Sequence, residues 1–199
     1  DVYKRQDSGL VIMMNYIVLD LEWNQSAKGK KYTLPGMPFE IIQMGAVKLD
    51  NKFDVIDEFD RLVCPQVYPV LHSVCGEVTG ITQEMLADGE HFVDTALDFL
   101  EWCGQDYIFC TWGSTDLVEL QRNLNHYAIE AEFPMPFLFY DVQKLYSLCF
   151  LNGKERPALQ TAIEQRGIAE KEQYHMALSD ARYTACLLYT SPSPRDGAT

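Results

Sequence analysis

The chain has 199 residues, 47% of them hydrophobic and 23% charged, with a formal net charge of −13. These values suit one globular domain with a sizeable core and exclude a disordered chain. The acidic balance argues against a protein that grips nucleic acid through a basic surface, and it leaves room for an enzyme that meets phosphates through bound cations. The six cysteines show neither a C-x-x-C pair nor zinc-finger spacing to histidine. They read as buried thiols of a reducing, cytoplasmic compartment. Gly9–Leu19 is apolar but lacks the small-residue cleavage site of a signal peptide. No stretch approaches the roughly 20 apolar residues of a membrane span.

Both ends look foreign to the fold. Asp1–Gln6 can be encoded by GATGTGTATAAGAGACAG, and the reverse complement of that DNA, read one base out of frame with its last codon completed, gives Cys186–Ser191. The DNA resembles the transposon end used in sequencing libraries. Residues 1–6 and about 186–199 are therefore expected to be adapter-encoded and poorly ordered. The native part is expected to be one domain over 14–185, starting at Met14 or Met13 and lacking its own C-terminus.

In chain order, Tyr16–Glu22 is an apolar strand carrying two acids. Asn24–Pro38 is a loop rich in glycine and proline. Glu40–Leu49 and Phe53–Val63 form a hairpin around Asp50-Asn51-Lys52. Tyr68–Ile81 is irregular, and Thr82 caps a short helix with Met85 and Leu86 inward. Phe92–Cys103 is a helix, followed by the strand Tyr107–Thr111. Ser114 caps a helix with Leu117, Leu120, Leu124 and Tyr127 on one stripe. Phe137–Tyr140 is a short strand, and Asp141 opens a helix to about Phe150. Ala158–Arg166 is helical with Gly167 as its C-cap, and Tyr174–Ala185 opens the last helix. Three neighbouring strands, then helices alternating with two short strands, predict an α/β fold: a mixed five-stranded sheet flanked by helices.

The chemistry starts on the first strand. Asp20 and Glu22 project from one face, because side chains alternate along a strand. Two acids so close either face water or share a cation, and a hard divalent ion such as Mg²⁺ suits carboxylate oxygens. Asp116 stands in the first turn of a helix just past a strand, where functional groups gather in α/β sheets; helix-dipole compensation is the plainer reading. His175 and Asp180 flank the start of the last helix. Five helical residues span about 140°, so the two converge only if His175 lies in the preceding loop. Ala177, Ala181 and Ala185 would let that helix approach the sheet and bring Asp180 near Asp20. In Thr79-Gly80-Ile81 the glycine permits close approach of a ligand, and Ile81 is positioned to press on a base or sugar; a plain turn is the alternative.

The ordered set Asp20-x-Glu22, Asp116 and His175-x-x-x-x-Asp180 resembles the DEDDh family of 3′–5′ exonucleases. The likeness extends to Glu40–Val47 and Thr79–Thr82 and covers about Tyr16–Ala185. The Thr111-Trp112-Gly113 lead resembles the ERI-type branch of RNA-trimming exonucleases. Where many members of the family carry threonine two residues beyond the glutamate, this chain has Asn24, preceded by Trp23. The resemblance implies an RNase H-like fold and a metal-dependent 3′–5′ exonuclease acting on the 3′ end of single-stranded nucleic acid, RNA favoured. It implies that Asp20, Glu22, Asp116 and Asp180 hold two Mg²⁺ or Mn²⁺ ions, Asp20 bridging them, and that His175 is the general base. Trp23, Thr79, Gly80 and Ile81 are then substrate-binding residues, with Phe39 a further stacking surface. Lys154 and Arg156 are placed to contact phosphate, although a solvated loop explains them as well. Two rivals stay open: a DNA proofreading-type exonuclease, and a non-catalytic binding module on the same fold.

Overall fold

A computed structural model describes residues 14–169 and 174–190. The expectations about Asp1–Gln6 and about residues 191–199 lie outside the described residues.

The sheet has five strands: β1 (Asn15–Asn24), β2 (Glu40–Leu49), β3 (Val55–Leu62), β4 (Tyr107–Thr111) and β5 (Phe139–Asp141), in the order β3-β2-β1-β4-β5. β1 pairs antiparallel with β2 and parallel with β4; β2–β3 is antiparallel and β4–β5 parallel. The mixed α/β sheet predicted from the strand pattern is therefore present, and β1 lies at its centre. Seven helices flank it among the described residues: α1 (Ser73–Thr79), α2 (Gln83–Ala87), α3 (Phe92–Cys103), α4 (Thr115–His126), α5 (Val142–Phe150), α6 (Leu159–Arg166) and α7 (Ala177–Thr190).

Alternation along β1 sorts its side chains into two cores. Ile17, Leu19 and Leu21 pack with Phe92, Ala96 and Phe99 of α3 and with Leu117, Leu120 and Leu124 of α4. Val18 points the other way, onto Val47, Val142 and the small residues Ala181 and Ala185 of α7. Asp20 and Glu22 continue the Val18 face, so they stand toward α7.

Several expectations need correction. Tyr68–Ile81 is not irregular throughout, because Ser73–Thr79 is helical. Its cap is unusual: His72 Nδ1 accepts from Val74 N. Val74 and Val78 remain exposed, so no inward apolar stripe marks the helix. Thr82 does cap α2, accepting from Met85 N, but Met85 faces solvent and only Leu86 is buried. Ser114 precedes α4 without donating or accepting a cap bond. β5 pairs with β4 only through Phe139–Asp141, and Phe137 packs against the core instead. α7 starts at Ala177, later than expected, and runs to Thr190 with Leu187 and Leu188 buried. All six cysteines are free, but only Cys103 and Cys110 are buried; Cys149 and Cys186 are exposed. Among the described residues no helix is long and apolar enough to cross a membrane.

Candidate active site

The site forms where β1 outruns its parallel neighbour. Pairing with β4 ends at Val18–Cys110, yet β1 continues to Asn24. The backbone N–H of Leu21 has no strand partner on that side and donates instead to Asp116 Oδ1, 3.2 Å away. Asp116, in the first turn of α4, thus stands in for the missing strand. This is a crevice at the carboxyl ends of parallel strands, beside the point where chain order reverses.

The opposite wall is the start of α7, pressed onto β2. Gly45 lies directly across from Asp20. A Cβ at Gly45 would fall 2.1 Å from Leu178 N and 2.2 Å from the Ala177 carbonyl carbon. Only glycine permits this approach. Gln43, across from Glu22, fixes the helix start: its Oε1 accepts from Ala177 N at 3.2 Å and its Nε2 donates to Asp60 at 2.8 Å. Ala177, Ala181 and Ala185 are buried, as close packing requires.

His175 lies in the loop ahead of α7, the condition for it to meet Asp180. Its φ of 62° is left-handed, unusual for a residue with a side chain. Asp180 Oδ2 holds that backbone by accepting from His175 N at 3.2 Å. One ligand atom each from Glu22, His175 and Asp180 lies within 4.8 Å of the others. Asp20 and Asp116 stand outside this triad but within its electrostatic reach, as the pKa shifts show.

Those shifts all point upward. Burial, then the charges of Asp116, Asp180 and Glu22, raises Asp20 well above the ordinary aspartate range. Burial, then Asp180 and Asp116, pushes Glu22 up to about 8. Burial pushes Asp116 up to about 7, against the backbone bonds it accepts and with the charges of Asp180 and Glu119. Burial raises Asp180, opposed by His175. The cluster is four mutually repelling carboxyl groups with no Lys or Arg among the causes of their shifts. Asp180 Oδ1 is buried and has no hydrogen-bond partner. An orphaned carboxylate oxygen amid hard donors fits a divalent cation.

The predicted substrate residues divide. Trp23 packs at 5.7 Å against Phe39 and is part-exposed. A register shift in the β1–β2 ladder falls between Glu22 and Trp23. Gly80 is exposed, with φ 74°. Thr79 is buried; its hydroxyl donates to Cys75 O and accepts from Ile81 N. Ile81 cannot press on a base from where it lies. It is 2% exposed, packed with Ile42 and Leu86, and it anchors the turn. Asn24 is also committed: its Nδ2 donates to Tyr68 O and Val70 O, and its Oδ1 accepts from His72 N. Lys154 and Arg156 are exposed in a loop ordered by Asn152.

Gly45 and Gln43 seat α7 on β2, a role that nothing within their own segment marks. In β2 they look like a tolerated break and an ordinary polar residue. Their one signal is position, since both fall opposite the acids of β1.

The family model for exonucleases (RNase T) matches residues 17–188. The chain belongs to this exonuclease family. Its curated relatives include the probable 3′–5′ exonuclease KapD of Bacillus subtilis, 28% identical over 172 residues, covering 83% of this chain and 78% of KapD. The PolC-type DNA polymerase III of Bacillus subtilis is 30% identical over 148 residues, which cover 74% of this chain and 10% of the polymerase. ERI1 exoribonuclease 2 of Mus musculus is 29% identical over 197 residues, covering 87% of this chain and 28% of the relative. The chain thus spans only a small part of two of these three proteins. Among solved structures, the nuclease domain of 3′hExo, a DEDDh family member bound to rAMP, superposes with a TM-score of 0.74 at 21% identity, covering 89% of this chain and 90% of that one. Cell-death related nuclease 4 gives 0.71 at 19% identity, covering 88% and 62%. These two likenesses establish the fold, the RNase H-like exonuclease architecture that the motif order implied.

Proposed function

We propose that this exonuclease-family chain is a metal-dependent 3′–5′ exonuclease. It removes nucleoside 5′-monophosphates from the 3′ end of single-stranded nucleic acid, RNA in preference to DNA. The observation that carries this reading is the convergence of Asp20, Glu22, Asp116 and Asp180, from three separate elements, on one crevice with His175 at its mouth. No structural need explains four acids, Asp116 and Asp180 buried and Asp20 and Glu22 half-buried, gathered without a cation partner among the described residues.

Asp20, Glu22, Asp116 and Asp180 would hold two divalent ions, Mg²⁺ or Mn²⁺. When bound, such ions neutralise the site for a phosphodiester and favour water as a nucleophile. The chain's own residues do the rest. His175 is exposed on a loop whose backbone Asp180 holds. That placement suits a general base that takes a proton from water at its imidazole nitrogen. Burial and the charges of Asp180 and Asp116 push Glu22 up to about 8, so near neutral pH it would hold a proton when no cation is bound. Trp23 and Phe39 offer a stacking surface for the terminal base, and Gly80 allows the sugar-phosphate to approach the backbone. The preference for RNA draws on the relatives named exoribonucleases and requires contacts to the 2′-hydroxyl.

The test uses 5′-labelled single-stranded RNA and DNA with Mg²⁺ or Mn²⁺, and EDTA as control. A ladder shortening from the 3′ end, faster on RNA and absent in EDTA, is the expected result. No metal-dependent degradation of either polymer overturns the reading. Degradation that favours DNA overturns the RNA preference alone and leaves the proofreading-type alternative.

A further inference from the structure

A second surface lies beside this site, built with the opposite charge. The chain carries 29 acids, yet none falls between Trp23 and Phe39 or between Val63 and Gly76. These two segments face each other across a cavity of about 690 Å³ lined by Lys28, Lys31, Tyr32, Leu34, Pro35 and Val70, among others. Tyr32, Leu34 and Val70 are 55%, 38% and 61% exposed. Lys31 lies 4.9 Å from the centre of the Tyr32 ring, and Lys30 is its neighbour in the short 3₁₀ turn Lys30–Tyr32.

The groove is built rather than incidental. The Tyr68 hydroxyl donates to Met37 O at 2.7 Å and accepts from Leu34 N at 2.9 Å, tying one wall to the other. Asn24 binds the second wall to the end of β1 through Tyr68, Val70 and His72. Several cations elsewhere are engaged within the fold: Lys48 donates to Trp102 O, Lys144 to Gly153 O, Arg122 pairs with Glu119 and Arg182 with Glu58. Ser26, also on the groove, is four residues past Glu22, so at most about 14 Å of extended chain separates it from the acids.

We propose that this groove binds the single-stranded nucleic acid on the 5′ side of the terminal nucleotide, with Lys28 and Lys31 on phosphates and Tyr32 stacked on a base. The inference rests on the exonuclease reading for its substrate. Charge decides the occupant: a groove walled by acid-free segments near an anionic site suits the polyanion that the site must hold, and cation-plus-aromatic grooves are how single strands are held without sequence preference.

The experiment measures binding of a fluorescein-labelled oligouridylate of about 15 nucleotides to the full chain in EDTA by anisotropy, which needs no turnover. Lys28→Gln with Lys31→Gln, and separately Tyr32→Ala, should each weaken binding roughly tenfold. The double lysine variant should also flatten the dependence of log Kd on log salt by about 0.7 per lysine. With metal, KM for the long strand should rise about tenfold more than KM for a dinucleotide. If wild type degrades nothing but binds through these residues, the exonuclease reading fails and the groove stands. If wild type degrades RNA and both variants bind the long strand as wild type does, the groove is overturned. A groove that binds a protein surface would show itself by the same indifference.

Discussion

Glu40 and Asp20 are acids on adjacent central strands, one buried and one half-buried, and they do opposite things. Glu40 is 1% exposed, and its carboxylate accepts from the backbone N–H of Gln66, Val67 and Tyr68 and from the Tyr127 hydroxyl. These bonds make a clamp that holds the wall of the lysine groove. Asp20 meets other carboxyl groups instead, and burial and repulsion drive its pKa upward. A buried acid rich in donors is structure. An acid surrounded by acids has the chemistry that suits a cation.

Four substitutions break or sharpen that contrast. Asp20→Ala should have the largest effect. Turnover should be abolished, while the melting temperature without metal stays level or rises, since one repelling charge is gone. Activity retained with a lower melting temperature would put Asp20 with Glu40. His175→Ala should slow turnover by about 10²–10⁴-fold while leaving the fold alone; unchanged single-turnover rates would remove it from proton transfer. Glu40→Gln should reverse the pattern. Loss of a charged acceptor from several buried donors should cost about 3 kcal/mol in urea denaturation, with turnover per folded molecule changed far less than by Asp20→Ala. Gly45→Ala should be mildest in chemistry but act on both properties. Its Cβ must push the backbone of α7 aside, costing about 1–3 kcal/mol and moving Asp180 and His175. A variant as stable and active as wild type would show that the approach of α7 is not what places them.

How far the sequence discloses this depends on whether a signal is local. β2, α3 and β4 have the bounds their patterns predict, because alternation, apolar spacing and flanking breakers all lie within each segment. α1 escapes because it has no buried stripe and takes its cap from histidine. The five residues proposed for the site stand out by their order along the chain, which survives folding. Gly45 and Gln43 are not, since each matters only once α7 lies against β2. Ile81 misleads for the same reason: its apolar side chain suits either a base or a core, and only packing with Ile42 and Leu86 decides.

The most direct test is the melting temperature against pH, with and without Mn²⁺. The acids of the site have folded pKa values raised above their unfolded ones, Asp116 to about 7 and Glu22 to about 8. The folded state therefore keeps protons that the unfolded chain releases near pH 4. Stability without metal must fall as pH rises from about 4 to about 8. Mn²⁺ competes with those protons, so its stabilising effect should grow through the same window and vanish in Asp20→Ala. Curves with and without Mn²⁺ that run together across this range, or a metal effect that survives in Asp20→Ala, would contradict the account.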